Sequence, residues 1–77
     1  MNKFRRKTIE KINSKIESLK EELEQVKDIE EEAMQNVPES LQMTDRYFNM
    51  EESVDALDQA VSELEDIIDR LQEIVSN

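Results

Sequence analysis

Core-forming residues in the two halves of this chain pair so that their residue numbers always add to 80. A constant sum indicates two helices that run antiparallel, because each step forward along one helix is a step back along the other. We therefore predict an all-α, antiparallel two-helix coiled-coil hairpin that folds back near Ser40. From the termini inward, the pairs are Ile9 with Leu71, Ile12 with Ile68, Ile16 with Leu64, Leu19 with Val61, Leu23 with Leu57, Val26 with Val54, the mixed pair Glu30 with Met50, Ala33 with Tyr47, and Val37 with Met43.

The ends of the two predicted helices carry recognisable signals. Pro38 stops the first helix, because proline lacks an amide donor and restricts the residue before it. Thr44 is a good N-cap for the second helix, and Asp45 places a negative charge in its first turn. The sequence predicts one helical-hairpin domain over residues 1–77, with a first helix over about 3–36, a linker over about 37–44 and a second helix over about 45–75.

A hairpin of this size needs a partner. Each helix has only one neighbour against which to bury its apolar face, and 77 residues are few for a self-sufficient core. The second helix is apolar over a wider face than one partner helix covers. We therefore expect a homo-oligomer, a dimer or higher, in the form of a four-helix or larger bundle, with a foreign partner helix as the alternative. The predicted interface residues are Ile29, Ala60, Ile67, Ile74 and Val75.

The composition excludes several kinds of chemistry. The chain has no cysteine, histidine or glycine, which removes disulfides, the usual zinc ligands, the commonest general base and glycine-rich phosphate loops. We expect a non-enzymatic protein without a cofactor or a metal. No apolar run approaches the ~20 residues of a membrane span, and the start lacks the apolar stretch of a signal peptide. We expect no membrane association and a cytoplasmic location, in the host cell if a phage encodes the chain.

The charge is unevenly distributed. Residues 1–20 have a balance of +5 and residues 21–77 a balance of −15. The basic cluster at the start, with Phe4 as a stacking face, is a candidate phosphate-binding site. The alternative is that it compensates Asp66, Asp69 and Glu73 near the end of the second helix. Direct binding to nucleic acid is not expected, since only one aromatic residue accompanies the charges.

The linker is the second candidate site. Asn36 and Arg46 fall on facing g positions of the two heptads, so they should meet across the hairpin. In a head-to-tail oligomer, Arg46 and Tyr47 of one subunit would combine with the basic start of another to hold an anion with a flat ring. The alternative is that the linker residues only cap the helices and shape the turn. The candidate ligand-binding residues are Arg5, Arg6, Lys7, Asn36, Arg46 and Tyr47.

The linker also carries a resemblance. The segment Asn36-Val37-Pro38-Glu39-Ser40-Leu41-Gln42, followed by Thr44 and Arg46, resembles a group of short, uncharacterised helical-hairpin proteins from phages and mobile elements of Gram-positive bacteria. Only the linker is specific, because the flanking helices match many coiled coils. The resemblance implies a phage or mobile-element setting and supplies no catalytic or binding residue.

Three functions fit these observations. The first is a phage-type antagonist of host defence that sequesters a nucleotide-like signal between subunits. The second is an acidic inhibitor of a host protein, or a nucleic-acid mimic, that acts through the negatively charged helix faces. The third is a structural or assembly role for the coiled coil alone.

Overall fold

Two long helices fold into a rod. The structure, a computed structural model, describes all residues 1–77. Helix α1 spans Lys3–Gln35, a short 3-10 turn spans Glu39–Leu41, and helix α2 spans Asp45–Ser76. The two helices pack side by side and antiparallel in a body of 59 × 14 × 13 Å. The predicted all-α hairpin is confirmed, and both helices end within one residue of the predicted bounds. Neither helix has a stretch that is both long and apolar enough to cross a membrane.

Side-chain caps begin both helices. The Oδ1 atom of Asn2 accepts a hydrogen bond from the amide of Arg5 at 2.8 Å, and the hydroxyl of Thr44 accepts one from the amide of Tyr47 at 3.3 Å. These bonds satisfy amides that have no partner within the first turn of a helix. Thr44 is therefore the N-cap that the sequence predicts.

The bend is made without any left-handed residue. No residue has a positive φ angle, which suits a chain without glycine. Pro38 instead adopts φ −57° and ψ 145°, and its carbonyl accepts the amide of Leu41 at 2.8 Å. The side chain of Gln42 donates to the Val37 carbonyl at 3.3 Å, and the Thr44 hydroxyl donates to the Leu41 carbonyl at 2.7 Å. The bend is thus tied by several local hydrogen bonds.

The core is a single row along α2. Val54, Val61 and Ile68 are the only buried residues, and they occupy successive a positions of the α2 heptad. One buried residue per heptad on one helix is a small core, as a two-helix rod dictates. The total accessible surface is 6148 Å², whereas a compact protein of this mass exposes roughly 4,900 Å².

The face that α1 turns toward α2 is not the predicted one. Ile12, Leu19 and Val26 occupy d positions and were predicted to face α2, yet their exposed fractions are 46%, 59% and 52%. Helix α1 meets α2 with its a and e positions instead. The side chain of Asn13 donates to the main-chain oxygen of Ile68 at 3.3 Å, in the place predicted for Ile12. Near the bend, Met43 is also exposed and does not form the predicted layer with Val37.

Charged e positions explain this rotation. Lys20 lies 3.5 Å from a carboxylate oxygen of Glu65, and Lys27 lies 3.3 Å from one of Asp58. The antiparallel register of the sequence predicts that Lys20 and Lys27 face Glu51, Asp58 and Glu65 of α2. The pairs with Asp58 and Glu65 are confirmed, whereas Glu51 makes no ion pair. Turning the e positions inward lets the aliphatic stems of the lysines cover α2 while their ammonium groups reach the carboxylates. The hydrogen bond to Asp58 is the main cause that raises the pKa of Lys27 above its ordinary 10.5.

Candidate ligand-binding site

A half-open cavity of about 520 Å³ lies inside the bend of the hairpin. Its volume falls within the range of small-molecule sites in proteins. The end of α1, the connecting segment and the start of α2 each supply part of its wall. The lining residues are Ala33, Asn36, Val37, Pro38, Leu41, Thr44, Arg46, Tyr47 and Met50.

Small and fixed residues keep this space open. Ala33 is exposed, like the other d positions of α1, so it does not form the predicted layer with Tyr47. It lines the cavity with only a methyl group, which leaves the space beside it open. Pro38 and the local hydrogen bonds of Gln42 and Thr44 hold the opposite wall in place. The shape of the cavity therefore depends on the backbone of the bend as well as on side chains.

The polar groups of the cavity differ in what they can still bind. The hydroxyl of Thr44 is occupied, since it donates to one backbone group and accepts from another. Arg46 is exposed and takes part in none of the three ion pairs of the chain. Tyr47 is half-buried, and its ring meets that of Phe48 edge-on at 6.3 Å between centroids. The cavity thus combines an unpaired cation with a half-buried aromatic ring.

Three of the six candidate ligand-binding residues come together here. Asn36, Arg46 and Tyr47 line the same cavity, Asn36 at the end of α1 and the other two at the start of α2. Sequence reasoning missed the apolar walls. The signal that could have indicated them is the small Ala33, one helical turn before the bend, in a helix that otherwise carries large apolar residues.

The basic cluster lies at the other end of the rod. Helix α1 has 33 residues, so Arg5, Arg6 and Lys7 are separated from the bend by nearly its whole length, roughly 45 Å. One chain cannot use both ends on the same small ligand. Arg6 is half-buried on the seam, where its guanidinium donates to the main-chain oxygen of Asn77 at 2.7 Å. Arg5 and Lys7 are exposed.

The basic cluster makes no ion pair with the end of α2. The three ion pairs of the chain involve only Lys20 and Lys27 as cations. Asp66, Asp69 and Glu73, the residues named as possible partners of the cluster, are exposed and unpaired. The attachment of the start of α1 to the end of α2 thus depends on the Arg6 hydrogen bond and on apolar packing.

Of the five residues predicted to form an interface between subunits, three are exposed and two are half-buried. Ile29 is 67% exposed, Ile67 is 41% exposed and Ile74 is 40% exposed. Ala60 and Val75 are half-buried against the rest of the chain. The exposed members lie on the edge of the hairpin opposite the lysine pairs, since they occupy g positions and the pairs involve e positions.

Comparison with known proteins gives no further information about this site. No protein-family model, curated protein or solved structure matches the chain. No group of three or more histidine, cysteine, aspartate or glutamate side chains is placed to hold a metal ion. The site must therefore be interpreted from its own chemistry.

Proposed function

We propose that this protein is a non-catalytic, homo-oligomeric binding protein that captures a nucleotide-like ligand in the cavity of its bend. The observation that carries the proposal is the meeting of Asn36, Arg46 and Tyr47 in one cavity of small-molecule size. A cavity with mostly apolar walls and a few convergent polar groups is the usual form of a small-molecule site.

The chemistry of the cavity favours an anion with a flat ring. An unpaired guanidinium binds phosphate through two parallel hydrogen bonds, and Arg46 is the only cation in the wall. The ring of Tyr47 offers a stacking face, and the amide of Asn36 can both donate to and accept from a base edge. The apolar walls would take up the remainder of the base.

The setting proposed for this activity is antagonism of host defence. The linker resembles short hairpin proteins of phages and mobile elements, and such elements benefit from removing a nucleotide signal. A chain of 9.1 kDa without histidine or cysteine suits stoichiometric capture. The protein would act in the cytoplasm of the host cell.

A thermal-shift screen tests the proposal. The full chain is heated with linear and cyclic nucleotides, and a true ligand at about 100 times its Kd should stabilise it by about 2.7 kcal/mol. For a domain of this size, that corresponds to a midpoint shift of about 10 °C or more. Arg46→Ala should remove most of the shift, because a charge-assisted hydrogen bond contributes about 1.5–3 kcal/mol.

The matched control is Arg70→Ala. Arg70 is an exposed arginine on α2 outside the cavity, so its loss changes the net charge equally without touching the site. The shift should survive in this variant. A panel without any stabilising nucleotide would contradict the proposal. An equal loss in both variants would do the same, because it would indicate a general charge effect.

A second function is favoured by the acidic surface. Residues 21–59 have a balance of −11, and most of their carboxylates are exposed and unpaired. Such a surface would occupy a basic channel on a host protein. Binding to that protein should weaken steeply with salt and should be indifferent to Arg46→Ala. These two responses separate this function from ligand capture.

A further inference from the structure

Helix α1 carries an uncovered row of side chains, which we call the d row. It consists of Arg5, Ile12, Leu19, Val26 and Ala33, seven residues apart, and all five are exposed. The apolar members are the residues that the sequence assigned to the seam. At one end the row begins with a cation. At the other end it reaches Ala33, which lines the bend cavity.

We propose that a second copy of this chain covers the d row, with the two α1 helices antiparallel about a two-fold axis, so that Arg5 of each copy reaches the bend cavity of the other. This inference deepens the proposed function by naming the origin of a second cation for the same site. Its interface depends on the proposed self-association and is independent of the nature of the ligand.

The seven-residue spacing of the row allows antiparallel registers in which paired residue numbers add to 38, 45 or 52. Only the sum of 45 places Arg5 beyond the end of the partner's α1, beside its bend. Leu19 then faces the partner's Val26, and Ile12 faces the partner's Ala33. Arg5 faces position 40 of the partner, within the 3-10 turn that follows the cavity wall. The same register that buries the apolar residues thus delivers the cation to the bend.

Exposed apolar residues beside the row fall at matching heights along the pair. Within one hairpin, Ile67 lies level with residue 13 of α1. In the pair, residue 13 would lie level with residue 32 of the partner, which is less than one turn from the partner's Ile29. Ile74 lies level with residue 6, which would lie opposite position 39 and close to the partner's Leu41. Ile29 and Leu41 are exposed by half or more. This alignment matches the row itself face to face and leaves the flanking apolar residues at similar heights along the rod.

Charge favours the antiparallel orientation over the parallel one. The half of the rod near the bend, residues 21–59, has a balance of −11, whereas the half near the termini has a balance of +1. A parallel pair would place the two strongly acidic halves side by side. The antiparallel pair sets each acidic half beside the other copy's basic start, which reduces repulsion.

The surface area agrees with a partner of this size. The chain exposes roughly 1,200 Å² more than a compact protein of its mass. Stable obligate dimers bury about 1,000 Å² or more from each subunit. The excess is therefore comparable with what one second copy would cover.

Cysteine cross-linking tests the register, and the chain has no native cysteine to interfere. Ile12→Cys and Ala33→Cys variants, one of them tagged to change its mass, are mixed and oxidised. The expected product is the mixed disulfide dimer. As the matched control, Glu10→Cys replaces Ile12→Cys, because Glu10 is exposed two residues away and off the row. This mixture should give at least tenfold less of the mixed dimer.

A spin label on Glu10→Cys tests the orientation. In the proposed pair, residue 10 lies level with position 35 of the partner, so the two labels are offset by about 38 Å along the rod. A parallel pair would leave the labels separated only by its width, roughly 20 Å. A short distance, a monomer at all concentrations, or equal cross-linking in test and control would overturn the inference. A monomer would also contradict the proposed homo-oligomer. None of these results removes the nucleotide shift that Arg46 controls, so ligand capture and the register of the pair fail separately.

Discussion

Replacing Leu19 by alanine should weaken self-association about 20- to 300-fold. Leu19 is 59% exposed in the single chain, and complete burial of a leucine side chain contributes about 1.5–3 kcal/mol. The exposed fraction can therefore contribute roughly 0.9–1.8 kcal/mol when a partner covers it. A two-fold pair contains this contact twice, which gives roughly 2–3.5 kcal/mol for each dimer, and 1.4 kcal/mol is a factor of ten in the dissociation constant.

Sedimentation equilibrium at several loading concentrations measures this change directly. Circular dichroism should show that the hairpin still folds, since alanine is a strong helix former. The matched control is Phe48→Ala, which removes an apolar side chain that is 45% exposed from a b position on the other edge of the rod. A dissociation constant that is unchanged by Leu19→Ala, or weakened equally by both substitutions, would refute the assignment of the d row to the interface.

Three further predictions concern stability and the composite site. Thr44→Ala should lower the free energy of unfolding by about 1 kcal/mol, because it removes the N-cap of α2. Urea unfolding measures this change, and Thr44→Ser should retain the cap. The pKa of Lys27 is raised in the folded state. The contribution of Lys27 to stability should therefore be present below about pH 10.5 and lost as the pH rises through its folded-state pKa. Asp58→Asn should flatten the free energy of unfolding against pH in this range. Mixing Arg5→Ala with Arg46→Ala subunits should restore about a quarter of the nucleotide sites in equilibrium dialysis. About half of the dimers are then mixed, and each mixed dimer contains one intact site of two. No recovery would contradict a shared site.

The hairpin could be predicted from the sequence because its signals are redundant. The constant sum, the stop at Pro38 and the cap at Thr44 all indicate the same fold-back. The pairs of Lys20 and Lys27 with acidic residues of α2 followed from the same register. Each of these features depends on spacing along the chain, which a sequence states directly.

The face that α1 presents could not be predicted in the same way. Its a and d positions are both apolar, and a hairpin offers only one helix to cover them. The heptad pattern assigned Ile12 and Leu19 to the seam because they are the more apolar choice. In the structure, Asn13 and Lys20 take that place, since long or polar side chains can cover α2 and still reach polar partners. A sequence pattern does not state which of two competing faces of α1 the single helix α2 will cover.

The candidate site was predicted in part for a related reason. Facing heptad positions brought Asn36 and Arg46 together, and that needed only the register. The cavity between them depends on the path of the backbone through Pro38 and the 3-10 turn, together with the small size of Ala33. The position of Arg6 on the seam also depended on the unexpected rotation of α1.

Small-angle X-ray scattering from the full chain tests the central claim that a second copy lies alongside the rod. It reports mass and length together. The account predicts at least twice the mass of the 9.1 kDa chain, with a longest dimension within about 10 Å, one helix diameter, of the single rod's 59 Å. A mass of one chain at every concentration, or a dimer nearly twice as long as the rod, would contradict it.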